Sequence, residues 1–172
     1  MEFTDVLEDR TIVCHCKAKT KDEVFQTLAS CFEQAGVVED KDAFIVDVYE
    51  REKIGVTGIG NHIAIPHGRS KSVKKPGVAI AVLDEEIAWE SLDDTGAKVV
   101  ILFAVGDDNE GANEHLKLLA MFSKRLGDDA VIQKLFEADS QEDVMDAFVE
   151  DENAQEQESE EADLDLDEIQ IM

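Results

Sequence analysis

The chain has 172 residues, of which 41 are acidic and 16 are basic, so its formal net charge is −25. This length suits one ordinary domain with a tail, and a hydrophobic content of 44% predicts a real core. The charge argues against nucleic acid and anionic membrane surfaces as partners, because phosphate groups attract the opposite sign.

Membrane insertion and secretion are also disfavoured. The longest apolar runs cover residues 77–83 and 99–105 and are too short to cross a bilayer. The first ten residues lack the basic and apolar regions of a secretory signal. The three cysteines have no zinc-type spacing and suit reduced thiols. We therefore expect a cytoplasmic protein that does not insert into the membrane.

The N-terminal part of the chain predicts one strand and two helices. Residues 11–18 alternate, which predicts a strand with four side chains on one face: Ile12, Cys14, Cys16 and Ala18. Thr20 followed by Glu23 is typical of a capping box at the start of a helix. Asp40 begins a second helix, which ends near Gly55 and leads into a glycine-rich turn.

Strands dominate the centre of the chain, and helices follow them. A short apolar run covers residues 63–65 before Pro66, and three segments then predict strands: 76–83, 87–91 and 98–105. Three helices are then predicted: from Asn113 to Leu126, after a cap at Asp128 or Asp129, and from Ser140. Together these elements predict an α/β fold, a single-domain sandwich over residues 1–150 with a mixed β-sheet flanked by helices.

The end of the chain has a different composition. Residues 151–172 hold ten acidic side chains and no lysine or arginine. Such a segment buries too little apolar area to offset chain entropy, so we expect an acidic disordered tail.

A histidine follows a proline in the stretch GIGNHIAIPHGR, residues 58–69. Pro66 stiffens the backbone that enters His67. Gly68 is expected to let a bulky anion approach the backbone, and Arg69 supplies a planar, permanent cation. A histidine that merely ends a strand would account for the position but not for these neighbours. The pattern favours a histidine that meets a phosphoryl group.

Further groups are candidates to bind the same anion. The backbone N–H groups of Thr57, Gly58 and Gly60 are expected to turn toward it. Arg51 ends a helix before the glycine-rich turn and can reach it, although a solvated helix end is the alternative. His115 is predicted in the first turn of a helix, where the dipole favours an anion and a neutral imidazole. A core histidine is the alternative there.

Two other histidines receive no chemical role. His15 lies between Cys14 and Cys16, but neighbours in a strand point to opposite faces and cannot share one metal ion, which favours a structural role. His62 stands five residues before His67 in a partly extended run, so it is expected to face away from it.

These motifs together resemble the enzyme IIA components of the bacterial phosphoenolpyruvate-dependent sugar phosphotransferase system, in the fructose/mannitol class. The similarity covers about residues 1–149 and rests on three blocks: REKIGVTGIGNHIAIPHGR, the strands around IAWESLD, and NEHLKLLAMFSKRL with SQEDVMDAF. The resemblance implies that His67 accepts the phosphoryl group through Nε2 and that His115 assists the transfer. It also places Arg51 near the site.

The resemblance implies partners but no cofactor. The general histidine phosphocarrier protein would donate the phosphoryl group, and a cysteine of a IIB subunit would receive it for uptake of a sugar of the fructose type. Histidine and arginine side chains can neutralise the phosphoryl oxygens without a metal ion. We also expect the other ring N–H of His67 to donate to an acceptor that holds the ring.

Two other functions stay open. A regulatory IIA protein of the nitrogen-related branch would carry the same phosphohistidine but signal by binding partners. A metal hydrolase would need His62, His67 and His115 to converge with a carboxylate, and no ligand spacing supports that.

Overall fold

The computed structural model describes residues 1–149, arranged as a six-stranded sheet between helices. The helices are α1 (Phe3–Val6), α2 (Lys21–Gln34), α3 (Lys41–Glu52), α4 (Asn109–Leu126), α5 (Asp129–Glu137) and α6 (141–149), with a 3₁₀ turn at Asp9–Thr11. The strands are β1 (Ile12–Cys16), β2 (Gly58–Gly60), β3 (Ile63–Ala64), β4 (His67–Arg69), β5 (Gly77–Ile87) and β6 (Ala97–Val105).

The sheet is mixed, as predicted. Its strand order is β1-β5-β6-β3-β2, and β4 pairs with β6 further along that strand than β3 does. Strands β5 and β6 form the long antiparallel centre. Strand β1 runs parallel to β5, β3 and β4 run parallel to β6, and β2 is antiparallel to β3. The α/β fold with helices around a mixed sheet is therefore confirmed.

The alternation of side chains along β6 divides the core into two layers. Val99, Ile101 and Phe103 point into a layer covered by α1, α4, α5 and α6, which we call the α4 face. Val100, Leu102 and Ala104 point into a layer covered by α2 and α3, which we call the α3 face. Small residues dominate the strands on the α3 face, where Ala64, Ala79, Ala81 and Ala104 are fully buried. The helices on that side therefore approach the sheet closely.

Three helices begin at the predicted caps. The side chains of Thr20, Asp40 and Asp128 accept hydrogen bonds from the backbone N–H groups of Glu23, Ala43 and Ala130. The capping box at Thr20 is only half formed, because the carboxylate of Glu23 accepts from the N–H of Lys19 instead. Ser140 Oγ accepts from the N–H of Asp143 at the start of α6, as predicted.

The prediction that Ile12, Cys14, Cys16 and Ala18 share one face is wrong. Ile12 and Cys14 pack on the α4 face, whereas Cys16 and Ala18 pack on the α3 face. His15 has a positive φ of 51°, and the pairing of β1 with β5 shifts register between Val13 and Cys16. A bulge of this kind interrupts the two-residue period of a strand, so the side chains after it change sides.

Two predicted boundaries also differ from the structure. Residues 87–91 are not a separate strand: β5 ends at Ile87, and the segment makes only an isolated bridge between Ser91 and Gly58. Helix α4 begins at Asn109 rather than at Asn113, because Asp108 caps it by accepting from the N–H of Gly111 at 2.8 Å.

The predicted disordered tail, residues 151–172, lies outside the described residues. Within residues 1–149, no helix is both long enough and apolar enough to cross a bilayer.

Candidate functional site

His67 is the first residue of β4 and faces the helices on the α4 face. It pairs in register with Phe103 of β6, and its ring stacks on that phenylalanine with the centroids 5.5 Å apart and the planes 15° apart. Only 8% of the residue is exposed. The sheet thus holds the imidazole flat against an aromatic side chain with one edge toward the surface.

His115 of α4 lies directly against His67. The two ring centroids are 4.5 Å apart, with the planes inclined at 66°. Because α4 begins at Asn109, His115 lies beyond the first helical turn, and the prediction that places it in that turn is wrong. The helix dipole acts mainly within the first turn, so it does not account for the position. Packing of α4 on Phe103 brings the two histidines together.

The surroundings keep both imidazoles neutral. Burial, and then the nearby His115 and Arg51, lower the pKa of His67 from 6.5 to about 3. Burial, and then Arg69 and Arg51, lower the pKa of His115 as well. A neutral imidazole keeps a lone pair on one nitrogen, so His67 is a competent nucleophile at neutral pH without a general base.

The ring nitrogens of the pair differ in their surroundings. Nδ1 of His67 and Nε2 of His115 are buried and have no hydrogen-bond partner within residues 1–149. The expected acceptor for the His67 ring N–H is therefore not found there, and stacking on Phe103 holds the ring instead. Nδ1 of His67 is thus enclosed, which leaves Nε2 as the ring nitrogen that stays a predicted site of reaction.

Gly68 serves packing on the α3 face. It pairs with Ala104, so its Cα hydrogens face α3 while His67 faces α4. A Cβ at Gly68 would lie 2.3 Å from the ring of Phe44 and 3.0 Å from Val48. The prediction that Gly68 opens the backbone to an anion is therefore wrong, because α3 occupies that space.

Two arginines supply positive charge beside the histidines. Arg51, in the last turn of α3, donates from Nη1 to the carbonyl oxygen of Gly55 at 3.2 Å. Arg69 ends β4 and is exposed. Neither guanidinium forms an ion pair with a carboxylate in the described part of the chain. Their charges therefore remain available to an anion at the histidine pair.

The glycine-rich segment is occupied by other contacts. The N–H of Gly58 donates to the carbonyl oxygen of Glu90 at 3.1 Å, so the prediction that it binds the anion is wrong. Gly60 lies against the carboxylate of Asp93, which would repel an anion. The hydroxyl of Thr57 donates to Glu52 and accepts from Trp89, while its N–H stays a predicted ligand.

The remaining histidines and cysteines stand apart from this pair. His62 hydrogen-bonds Glu86, and His15 bridges Asp84 and Asp139. Burial raises the pKa of the Cys14 and Cys31 thiols, which makes them poor nucleophiles. No group of three metal-ligating side chains is close enough to hold a metal ion among residues 1–149.

Two residues of this region were not predicted from the sequence. Phe103, the platform under His67, lies in a strand whose pairing could not be read from the sequence. Glu52 looks like one half of a solvated charge pair with Arg51, yet its side chain is only 8% exposed. The neighbouring Arg51 was the sequence feature that drew attention to Glu52. Whether the end of a helix is buried depends on the elements that pack against it, which the sequence does not reveal.

Comparison with known proteins agrees with this geometry. A family model described as "Phosphoenolpyruvate-dependent sugar phosphotransferase system, EIIA 2" matches residues 5–151. The fructose-specific EIIA component of Haloferax volcanii is 36% identical over 131 residues, covering 76% of this chain and 84% of that protein. A nitrogen regulatory protein of Klebsiella oxytoca is 33% identical over 138 residues, covering 79% of this chain and 82% of that protein.

A solved structure has the same fold and a related sequence. In the complex of enzyme IIAMtl with phosphorylated enzyme IIBMtl from Escherichia coli, the matched chain has a TM-score of 0.70 and 26% identity. The match covers 83% of this chain and 96% of that chain. The chain spans less than a quarter of the length of two multidomain EIIABC relatives, 22% and 23% respectively.

Proposed function

Since the chain belongs to the EIIA type 2 family of the phosphoenolpyruvate-dependent sugar phosphotransferase system, we propose that it carries a phosphoryl group on His67. The group would come from the general histidine phosphocarrier protein and pass to a cysteine of a IIB subunit. The observation that carries this proposal is the pair of buried His67 and half-buried His115, whose ring centroids are 4.5 Å apart, beside two arginines that have no carboxylate partner within residues 1–149.

The transfer exchanges one N–P bond for another. Nε2 of neutral His67 attacks phosphorus as the N–P bond of the donor histidine breaks. The donor imidazole leaves with the electron pair and takes up a proton, while the His67 ring releases one. The low pKa of His67, about 3, means that no proton has to be removed before the attack.

Side chains would neutralise the negative charge of the phosphoryl group. A loose transition state spreads negative charge over three equatorial oxygens, so catalysis depends on positioning and on neutralising that charge. Arg51 and Arg69 supply two permanent cations. His115 would contribute a ring N–H from α4. No step in this scheme requires a metal ion.

Exposed apolar side chains beside the site suit docking of both partners. Ile54, 80% exposed, follows Arg51 in the loop after α3, and Leu116, 66% exposed, follows His115 in α4. Apolar contacts surrounded by acidic residues fit partners that present basic groups around an apolar centre. The Escherichia coli complex joins a phosphorylated IIB protein to a related IIA, and we propose the same kind of contact here.

For the transported sugar we propose the fructose type, which is the specificity named for the Haloferax volcanii relative. A regulatory role is the second candidate, because a nitrogen regulatory protein is 33% identical over 138 residues. Both functions use the same phosphohistidine. They differ in whether a IIB cysteine receives the phosphoryl group.

Phosphoryl transfer in a purified system tests this proposal. With phosphoenolpyruvate, the two general proteins of the system and this chain, we expect one acid-labile, base-stable phosphate on His67. A fructose-type IIB protein added afterwards should remove it. His67→Ala should abolish labelling, and undiminished labelling of that variant would contradict the proposal. Labelling without transfer to any IIB protein would favour the regulatory function.

A further inference from the structure

Four side chains from different elements form a hydrogen-bonded network that includes the residue after Arg51, and Lys21 of this network also pairs with the exposed Glu90 at 2.7 Å. The carboxylate of Glu52 accepts from Lys21 Nζ at 2.7 Å through Oε2 and from the hydroxyl of Thr57 at 2.7 Å through Oε1. Thr57 Oγ1 accepts in turn from Trp89 Nε1 at 2.9 Å. Lys21 Nζ lies 4.5 Å from the centre of the Trp89 ring. We call these four residues the Glu52 network.

The network is largely closed to solvent. The side chains of Glu52 and Lys21 are 8% and 21% exposed, and the residues Thr57 and Trp89 are 4% and 7% exposed. A buried carboxylate is stable only when it is paired and its oxygens are hydrogen-bonded, and both oxygens of Glu52 are engaged. Moving the Glu52 carboxylate away from these partners would leave a buried charge unpaired, which is strongly unfavourable in free energy. The end of α3 is therefore held in one position.

The network bridges the two ends of the loop that accepts a hydrogen bond from Arg51. Glu52 and Thr57 join the two ends of the segment 53–56, and within it the carbonyl oxygen of Gly55 accepts from Arg51 Nη1 at 3.2 Å. Arg51 and Glu52 are successive residues of a helix, so one side chain enters the network while the other turns away from it. Fixing Glu52 thus fixes both the helical turn that carries Arg51 and the carbonyl group that orients it.

We propose that Glu52 is a positioning residue that holds the Arg51 guanidinium against the phosphoryl group on His67. This inference rests on the proposed phosphocarrier function. Within residues 1–149, no hydrogen bond or ion pair joins Glu52 to either histidine, so its effect reaches the reaction through Arg51. A guanidinium displaced by about 1 Å no longer has the right geometry to bind the equatorial oxygens of the phosphoryl group. Misplacement of that size can slow a catalysed reaction by about 100-fold.

A double-mutant cycle separates positioning from ordinary stability. Glu52→Gln keeps the size of the side chain and an oxygen acceptor for Thr57, but its amide cannot accept from Lys21. We expect it to lower the rate of His67 phosphorylation about tenfold at saturating donor, with the donor KM changed by less than about twofold. In an Arg51→Gln background the same substitution should change the rate by less than about twofold. Thermal unfolding establishes that each variant is folded at the assay temperature.

A matched control lies two residues away in the same helix. Glu50 pairs with Lys53 at 2.9 Å, but its side chain is 63% exposed. Glu50→Gln removes the same charge outside the network, and we expect it to leave the rate at the wild-type value. If Glu52→Gln does not fold, Thr57→Val replaces it, because this change of similar shape removes both hydroxyl bonds while the Glu52 charge stays paired with Lys21. It should show the same dependence on Arg51.

Two phosphoryl donors keep this inference distinct from the proposed function. The phosphorylated general phosphocarrier protein requires docking, whereas phosphoramidate is a small donor whose N–P bond breaks with release of ammonia as the His67 N–P bond forms. If only phosphoramidate labels His67, the proposed partner is wrong, but the Arg51-dependent loss still tests Glu52. Equal losses with and without Arg51, a wild-type rate for Glu52→Gln, or no labelling of His67 by either donor would overturn the inference.

Discussion

The two faces of the sheet use the same short strand for opposite purposes. On the α4 face, His67 leaves a buried ring nitrogen without a partner among residues 1–149 and lies against a second histidine. On the α3 face, the next residue has no side chain at all, because Phe44 and Val48 fill the space. The α4 face therefore leaves polar groups of this strand unpaired, and close packing on the α3 face fixes the position of the strand that carries them.

The largest effect is expected from adding one methyl group on the α3 face. Gly68→Ala places a Cβ 2.3 Å from the Phe44 ring, so α3 or the ring must move, and we expect a loss of about 3 kcal/mol in the free energy of unfolding. Denaturant unfolding measures it. Gly55→Ala is the control, because its Cβ would meet nothing within 4 Å, and it should change stability by less than about 0.5 kcal/mol. Equal values for the two variants would show that the α3 face is not closely packed.

On the α4 face, the next largest effect should fall on rate and leave stability nearly unchanged. His115→Ala removes one ring donor beside the phosphoryl group, which typically costs about 100-fold in rate, or about 2.7 kcal/mol of barrier. Rapid-quench labelling should therefore show slow phosphorylation of His67 rather than none. Asn113→Ala, a change in the same helix away from the histidine pair, serves as the control. A wild-type rate in His115→Ala would make that histidine a packing residue.

The smallest effect is a pH dependence of stability that belongs to His67. Its pKa falls from 6.5 to about 3 on folding, so below pH 6.5 the unfolded chain binds a proton that the folded chain does not. Stability is therefore lost as the pH falls, and this one group should account for about 2 kcal/mol between about pH 7.5 and about pH 5.

Comparison with His67→Gln isolates this contribution, because all other titrating groups are shared by the two proteins. Unfolding free energies of both proteins are measured across the same pH range. We expect the variant to lose less stability than the wild type on acidification. Parallel curves would mean that the buried imidazole is protonated as easily as a free one.

Local features of the fold were predictable from the sequence, and contacts between distant segments were not. Thr20, Asp40 and Asp128 cap helices as expected, because each hydrogen bond spans at most three residues. The bulge at His15 and the close approach of Phe44 to Gly68 were not predicted. Both depend on which strand or helix lies alongside, and periodicity carries no information about that.

By itself, the sequence determined the α/β class and the order of most elements, and it singled out His67 as the proposed phosphoryl acceptor, since alternation, caps and the Pro66–Arg69 motif are local. The tertiary structure alone decided which groups surround that histidine. The tertiary structure placed His115, which lies beyond the first turn of α4, against His67. It also paired the Gly58 N–H with the carbonyl oxygen of Glu90 and buried the side chain of Glu52. The physical reason is that burial and pairing follow from the packing of layers, where each partner comes from a different part of the chain.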